Sequence, residues 1–180
     1  MRQLCFLLFL GLLWAGAAQS QPAFWRDRSG NPVVETESLK SKNGFGGFLV
    51  ATTDADWEQK WSTPPETVPI FEEADVVPYG RKVYILSLFA NPSMDDSGKA
   101  KVQCDIRVVD PNGKVALALK DQTCYSGRLS GKATNVYMST QVMVFSGDPG
   151  DPAGTWSVEV NLLDANRDTE LPLRTRFQLR

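Results

Sequence analysis

The chain has no histidine, and that absence excludes several kinds of active site. A Ser-His-Asp triad, a Cys-His pair and a histidine-ligated metal are all impossible without it. Its lysines and arginines do not form a run either, and the formal net charge is -2. The composition therefore gives no sign of a nucleic-acid-binding surface. A phosphate-binding loop is also missing, because the glycines at 44–47 (GFGG) are not followed by Lys-Ser or Lys-Thr.

The N-terminus has the composition of a secretory signal peptide. Arg2 is followed by an apolar run from Leu4 to Trp14 and then by small residues. That run is well short of the ~20 residues that a permanent membrane helix needs. We therefore predict a signal peptide at residues 1–20, cleaved after Ser20 or, alternatively, after position 17 or 18. Its removal would leave a soluble exported protein, periplasmic or extracellular, with no permanent membrane anchor, whereas a retained anchor is the alternative interpretation.

Cysteine is scarce. Cys5 lies inside the predicted signal peptide, which leaves only Cys104 and Cys124. Two cysteines remaining in an oxidising compartment most often form a disulfide. The alternative is a reactive or metal-binding thiol pair, but the spacing is not that of a C-x-x-C motif and no histidine could share a metal. We therefore predict a disulfide between Cys104 and Cys124.

The pattern contains no long helix, and short strands dominate it. From residue 82 onward, apolar or alternating segments recur about every 10–15 residues with turn sequences between them, which predicts a β-sandwich. Strands are predicted at residues 44–53, 82–91, 101–110, 114–121, 134–147, 154–164 and 171–179. Alternation predicts inward positions for Val102, Cys104, Ile106, Val108, Val115, Leu117, Leu119, Trp156, Val158, Val160, Leu162, Leu171, Leu173, Phe177 and Leu179. The segment 82–91 is apolar throughout, as in a central strand buried on both faces, and residues 124–133 are expected to cross between strands.

The two C-terminal segments, DPAGTWSVEVNLLD and LPLRTRFQL, carry a family resemblance. They resemble the immunoglobulin-like or fibronectin-type sandwiches of bacterial exported proteins, in which a Pro-x-Gly-Thr-aromatic turn leads into the penultimate strand. The resemblance implies an immunoglobulin-like antiparallel β-sandwich of seven to eight strands over residues 44–180. It implies little about function, because this fold serves many functions. The cysteine positions depart from the antibody pattern, so no antibody-like role is implied.

The residues before the second predicted strand are less regular. Residues 21–43 are polar and predict an extended N-terminal arm or an irregular first hairpin. After the first core strand, Thr53 or Asp54 could cap a helix of about two turns that two prolines would end. A helix this short needs a surface to pack against. Residues 66–80 then predict a long irregular connection.

Aromatic residues near this helix are the main candidates for a binding site. Trp57 and Trp61 are four residues apart and share one helix face. Phe71 and Tyr79 lie nearby in the sequence. One interpretation is a hydrophobic plug, in which the helix caps an open end of the sandwich and both indoles are buried. The other is a binding surface for a partner protein, a peptide or a glycan.

A weak calcium candidate lies between the last two predicted strands. Asp164, Asn166, Asp168 and Glu170 place side-chain oxygens at alternate positions, as in an EF-hand loop. Thr169 stands where that loop needs glycine, and Thr175 where it needs glutamate. A structural turn is therefore the favoured interpretation, and the sequence predicts no cofactor.

Three function classes remain open. The leading one is a non-catalytic exported interaction or accessory module, whose partner is another protein or a cell-envelope component. The second is an inhibitor or immunity-type protein whose loop at residues 62–80 enters the cleft of a target enzyme. The third is an unrecognised hydrolase that uses a pair of carboxylates. Its candidate carboxylates are those of Glu58, Glu66, Glu72, Glu73 and Asp75.

Overall fold

Two β-sheets pack against each other in the computed structural model, which describes residues 23–27, 29–62 and 69–180. The elements in these ranges are β1 (Leu39–Lys42), β2 (Phe45–Thr52), α1 (Trp57–Trp61), β3 (Val76–Val77), β4 (Lys82–Ala90), β5 (Ala100–Val109), β6 (Val115–Gly127), β7 (Val136–Met138), β8 (Met143–Ser146), β9 (Gly154–Asp164) and β10 (Thr169–Leu179). The predicted signal peptide, residues 1–20, lies outside the described residues. Among those that are described, no helix is long and apolar enough to cross a membrane.

The strand pairing is almost entirely antiparallel. The first sheet has the order β1-β2-β4-β7, and β8 pairs with the part of β4 that β7 leaves open. The second sheet has the order β3-β10-β9-β5-β6, in which, among the described strands, only the pairing of β3 with β10 is parallel. This arrangement confirms the predicted all-β sandwich with one short helix after the first core strand.

The core lies between the sheets and is built mainly from alternate residues of β2, β4, β5, β9 and β10. In β5, β9 and β10 every residue predicted to point inward is buried. Burying one such Val, Leu or Phe side chain stabilises the fold by about 1.5–3 kcal/mol. These three adjacent strands therefore supply one continuous wall of the core.

Strand β6 departs from the prediction because it is the edge of the second sheet. Val115 is 39% exposed and Leu119 is 38% exposed, so their predicted inward burial is wrong. Only Leu117 of the three predicted residues packs against the core. The strand also continues to Gly127, through residues that were expected to cross between strands.

The predicted strand at 134–147 is two strands, β7 and β8, both paired with β4. Between them, after Met138 and before Met143, the regular ladder with β4 is interrupted. The Ser139 amide donates to the Ser87 carbonyl (2.8 Å), and the Thr140 amide reaches the Cys124 carbonyl (2.8 Å). The break therefore satisfies backbone groups of both sheets.

Cys104 and Cys124 lie at disulfide distance and are joined, with their Cα atoms 5.8 Å apart. Two consecutive residues of β5 lie opposite Thr123 and Tyr125, so Cys124 between them is left out of the ladder as a β-bulge. Both cysteines are buried. The bulge is what allows Cys124 to turn inward to Cys104.

The stretch assigned to the N-terminal arm contributes β1, which pairs with β2. Ahead of it, Phe24 and Trp25 pack over Gly46, where a Cβ atom would lie 2.2 Å from the Phe24 ring. A Cβ atom at Gly47 would lie 2.7 Å from a leucine methyl group of the second sheet. The glycines of GFGG therefore allow close packing on both faces of β2.

Candidate functional site

The outer face of the first sheet, which points away from the core, is apolar. On β2 and β4 one set of alternate residues fills the core and the other set points outward. Val50 lies opposite Leu86 in the outward set, and Phe48 lies opposite Leu88. Val50, Leu86 and Leu88 are almost fully buried although they lie outside the main core. The central strand β4 is thus buried on both faces, as its apolar sequence predicts.

Aromatic side chains of α1 and of the segment after it cover this face. Trp57, Trp61 and Phe71 pack against the buried residues beneath them, together with Tyr84 of β4. The ring centroids of Trp57 and Tyr84 are 6.1 Å apart. All four aromatic side chains remain partly exposed. We call these four residues, with the apolar strand residues under them, the outer aromatic face.

Three of the four predicted partner-binding residues therefore lie together. The fourth, Tyr79, packs against the main core and donates its hydroxyl hydrogen to the Asp151 carbonyl (3.0 Å). The plug interpretation is wrong about position and burial, because α1 lies on the outside of the first sheet and none of its residues is buried. The helix packs there because the outward residues of β2 and β4 are apolar, and contact with α1 removes them from water.

The start of α1 also differs from the prediction. Asp56 occupies the N-cap position and makes no side-chain capping bond, so neither Thr53 nor Asp54 is the cap. The helix has five residues, shorter than the expected two turns. Propensity and capping therefore contribute little to its stability, which depends on packing and on contacts of Asp54.

Asp54 fixes the helix to the sheet. Its carboxylate lies 2.8 Å from the Lys60 ammonium and accepts the Glu72 amide hydrogen (2.9 Å). Its own amide donates to the Thr52 hydroxyl (3.1 Å). Partial burial raises the pKa of Asp54, but hydrogen bonds from Lys60, Glu72 and Thr52 outweigh it and hold the pKa below its ordinary value. One carboxylate thus joins β2, α1 and the segment that carries Phe71.

The loop proposed to enter an enzyme cleft, residues 62–80, is partly built into the sandwich. Residues 63–68 lie outside the described residues. Beyond them, the Ala74 amide donates to the Ala51 carbonyl (2.7 Å), and β3 then pairs with β10. Ile70, by contrast, is 76% exposed and is the second residue after the undescribed stretch. The second half of the loop therefore connects the two sheets.

The outer face of the second sheet is charged, unlike that of the first. A groove of about 370 Å³ crosses it, and Glu159 accepts hydrogen bonds there from Arg107 (3.1 Å) and Arg174 (2.7 Å). Arg174 also donates its backbone amide hydrogen to the Glu37 backbone carbonyl of the arm (2.8 Å). The hydrogen bond from Arg176 lowers the pKa of the Glu37 carboxyl. The basic groups named here are neutralised by carboxylates beside them.

The calcium candidates, Asp164, Asn166, Asp168 and Glu170, are placed in and around the β9–β10 turn. Asp164 is fully buried, accepts the Ser93 amide hydrogen (2.8 Å) and lies 3.5 Å from the Arg167 guanidinium. Asn166 uses its amide hydrogens, not its oxygen, to bond two backbone carbonyls. Within the described ranges, no group of three or more His, Cys, Asp or Glu side chains could hold a metal ion.

The carboxylates considered for hydrolysis are dispersed on the surface. Glu58, Glu72, Glu73 and Asp75 are exposed, and none of them lines the groove on the second sheet. Glu66 lies outside the described residues.

Sequence reasoning missed Tyr84 and the apolar residues under the tryptophans. Their signal was present in the apolar segment 82–91, since residues two apart on a strand share a face. The segment itself did not show which face of β4 would contact α1, because that face is determined by the pairing of β4 with β2.

No protein-family model matches the chain, and no curated protein matches it. Several solved structures are similar. A family 123 glycoside hydrolase from Clostridium perfringens matches 76% of this chain at 8% identity and a TM-score of 0.45, and the chain covers 27% of that protein. A Niemann-Pick type C2 protein from the Japanese carpenter ant matches 79% of this chain and 91% of its own, at 12% identity and a TM-score of 0.39.

A CARDB domain from Pyrococcus furiosus, in complex with di-metal ions, matches 59% of this chain and 81% of its own, at 13% identity and a TM-score of 0.36. All three TM-scores lie below 0.5, so these similarities support no assignment of family or function.

Proposed function

We propose that this protein is an exported, non-catalytic β-sandwich module that binds another protein through the outer aromatic face. The observation that carries the proposal is the grouping of Trp57, Trp61 and Phe71, all partly exposed, over the buried residues Val50 and Leu86. Tryptophan and tyrosine are enriched among the residues that dominate protein–protein affinity. Their rings offer a large apolar area with few rotatable bonds to immobilise.

The support beneath these rings favours binding. The strands under them are hydrogen-bonded into the sheet, and Asp54 ties α1 to the end of β2. An aromatic surface that is already ordered loses less conformational entropy when a partner binds. The disulfide between Cys104 and Cys124 supports export, because such bonds persist in oxidising compartments.

A photo-crosslinking amino acid in place of Ile70 tests the proposal. Ile70 is 76% exposed and adjoins Phe71, so a partner on the outer aromatic face should be crosslinked from this position. The same amino acid in place of Val115, which is exposed on β6, is the control. We expect one protein of the exported fraction to be crosslinked from Ile70 and not from Val115.

The crosslinked protein must then bind when purified. We expect Trp61→Ala to weaken its Kd at least about tenfold, and Leu119→Ala, a truncation on β6, to leave it unchanged. Equal crosslinking from both positions, or an unchanged Kd for Trp61→Ala, would contradict the proposal. Circular dichroism of each variant checks that it is folded.

An inhibitor function is the second candidate, and the exposure of Ile70 favours it. In that case the crosslinked protein is an enzyme, and Ile70→Asp relieves its inhibition by the purified protein. An enzyme whose activity is unaffected by saturating binding would contradict this candidate and leave the first proposal intact.

A further inference from the structure

A small cavity adjoins the outer aromatic face, between the end of β2 and the start of β4. It has a volume of about 270 Å³ and is lined by Thr53, Ala55, Gly80, Arg81, Lys82 and Tyr84. On β4, Lys82 and Tyr84 share the outward side with the buried leucines beyond them. The same strand face therefore begins with a cation, continues with an aromatic ring and ends in aliphatic side chains.

The two basic residues of this cavity have no acidic partner in the described part of the chain. Arg81 donates to the Thr53 carbonyl (3.2 Å), but neither Arg81 nor Lys82 has a carboxylate within ion-pairing distance there. Arg107 and Arg174 in the groove on the second sheet are, by contrast, paired with Glu159, whereas Lys40 of that groove donates to the Pro172 carbonyl (2.7 Å). The cavity thus carries uncompensated positive charge next to an aromatic wall.

The turn before β4 holds these groups in place. The Gly80 amide donates to the Gly147 carbonyl (2.8 Å), and the Arg81 amide donates to the Pro78 carbonyl (3.1 Å). Gly80 has φ 76°, and a Cβ atom there would meet no heavy atom within 4 Å. The turn is therefore hydrogen-bonded to the residue that follows β8, and it leaves the cavity open beside Gly80.

We propose that this cavity is a carboxylate-binding subsite, and that it takes an acidic side chain of the protein partner while a neighbouring apolar residue of the partner packs on the outer aromatic face. The inference rests on the proposed function and names the partner's chemistry. Guanidinium and ammonium groups form charge-assisted hydrogen bonds with carboxylates. A cavity of about 270 Å³ is below the usual range for drug-sized ligands, so it suits one side chain.

Two acetylated, amidated tripeptides, Leu-Glu-Leu and Leu-Gln-Leu, test this subsite. Each is titrated into ¹⁵N-labelled protein, and the shifts of backbone amides and indole N–H groups are followed by NMR. We expect the Glu peptide to shift Gly80, Arg81 and Lys82 and to bind about two- to fivefold more tightly than the Gln peptide, as a solvent-exposed ion pair allows. The preference should shrink as salt rises, because salt screens exposed charges.

The double variant Arg81→Gln/Lys82→Gln should lose the preference for the Glu peptide. The control, Lys114→Gln/Lys132→Gln, removes the same charge from exposed lysines elsewhere and should retain it. The inference is overturned if the Arg81/Lys82 variant keeps the preference, or if neither peptide perturbs these amides. Acetate binding as tightly as the Glu peptide would also overturn it, because the apolar residues would then add nothing.

The same spectra separate this subsite from the proposed function. Both peptides could shift the indole signals equally while neither shifts the amides of Gly80, Arg81 and Lys82. That result would support binding at the outer aromatic face and contradict the carboxylate-binding subsite. If Trp61→Ala leaves both the affinity and the preference for Glu unchanged, an anion site remains but the aromatic face fails.

Discussion

The Lys60 ammonium lies 2.8 Å from the Asp54 carboxylate, and that carboxylate also accepts the Glu72 amide hydrogen. This contact joins a five-residue helix to the strand before it and to the segment after it. The positions of Trp57 and Trp61 depend on this contact, because a helix of five residues is not stable alone.

Asp54→Asn should therefore loosen the outer aromatic face without unfolding the sandwich. Labelling with 5-fluorotryptophan gives separate fluorine signals for Trp57 and Trp61, and we expect these two to broaden or shift at neutral pH in the variant. Asp56→Asn is the matched control, since Asp56 lies farther from Lys60 at 3.7 Å and is exposed. Identical spectra for wild type and Asp54→Asn would contradict the role of this contact.

The same contact should respond to acid. The pKa of Asp54 is lower in the folded protein than its ordinary value of 3.8. Its stabilising contribution is then complete above that ordinary value and is lost as the pH falls through the lowered, folded value. We expect the fluorine signals of Trp57 and Trp61 to shift in this acidic range in wild type and to lack this transition in Asp54→Asn.

Partial exposure predicts a moderate cost for removing Trp61. Trp61→Ala should lower the free energy of unfolding by about 1–3 kcal/mol, because only part of the indole is removed from water. Trp156→Ala is the comparison, and it should cost about 3–5 kcal/mol because its indole is buried in the main core. Urea unfolding of both variants measures the difference, and equal costs would contradict the partial exposure of the Trp61 indole.

Alanine substitutions at the adjacent glycines Gly46 and Gly47 of β2 should have different effects on stability and on the packing of the arm. Gly47→Ala places a methyl group against leucines of the second sheet and should cost about 1–3 kcal/mol in urea unfolding. Gly46→Ala should instead displace Phe24 and Trp25, seen as a changed fluorine signal of Trp25 with a smaller loss of stability. A Trp25 signal that is unchanged in Gly46→Ala would mean that the arm does not pack there.

Removing the disulfide should destabilise the sandwich measurably. Cys104→Ser/Cys124→Ser should lower the free energy of unfolding by about 3 kcal/mol, according to the chain-entropy estimate for a loop of this size. The protein beginning at Gln21 should contain no free thiol when it is denatured without reductant. Two titratable thiols per chain would contradict the bond.

The sequence predicts β9 and β10 well because each alternates cleanly and the turn between them is short. It predicts β6, β7 and β8 less well, because their limits depend on distant partners. The break at Ser139 and Thr140 depends on carbonyl groups of Ser87 and Cys124, which no local pattern reveals.

The candidate site was also predictable only in part, because local spacing can be read from the sequence and contacts between distant residues cannot. Trp57 and Trp61 share a helix face by spacing alone, and the structure keeps them together. Their relation to Tyr84 depends on the pairing of β2 with β4, whereas Tyr79 is near them in sequence but packs against the main core. The resemblance to immunoglobulin-like sandwiches stays a prediction.

The bulge at Cys124 has a consequence for how the chain reaches this fold. If β6 slid by one residue along β5, another residue would be left out of the ladder and the two sulfur atoms would no longer meet. In an oxidising compartment, bond formation then distinguishes correctly paired chains from misaligned ones, which retain two thiols. In such a compartment, disulfide formation would therefore select the native alignment of these two strands.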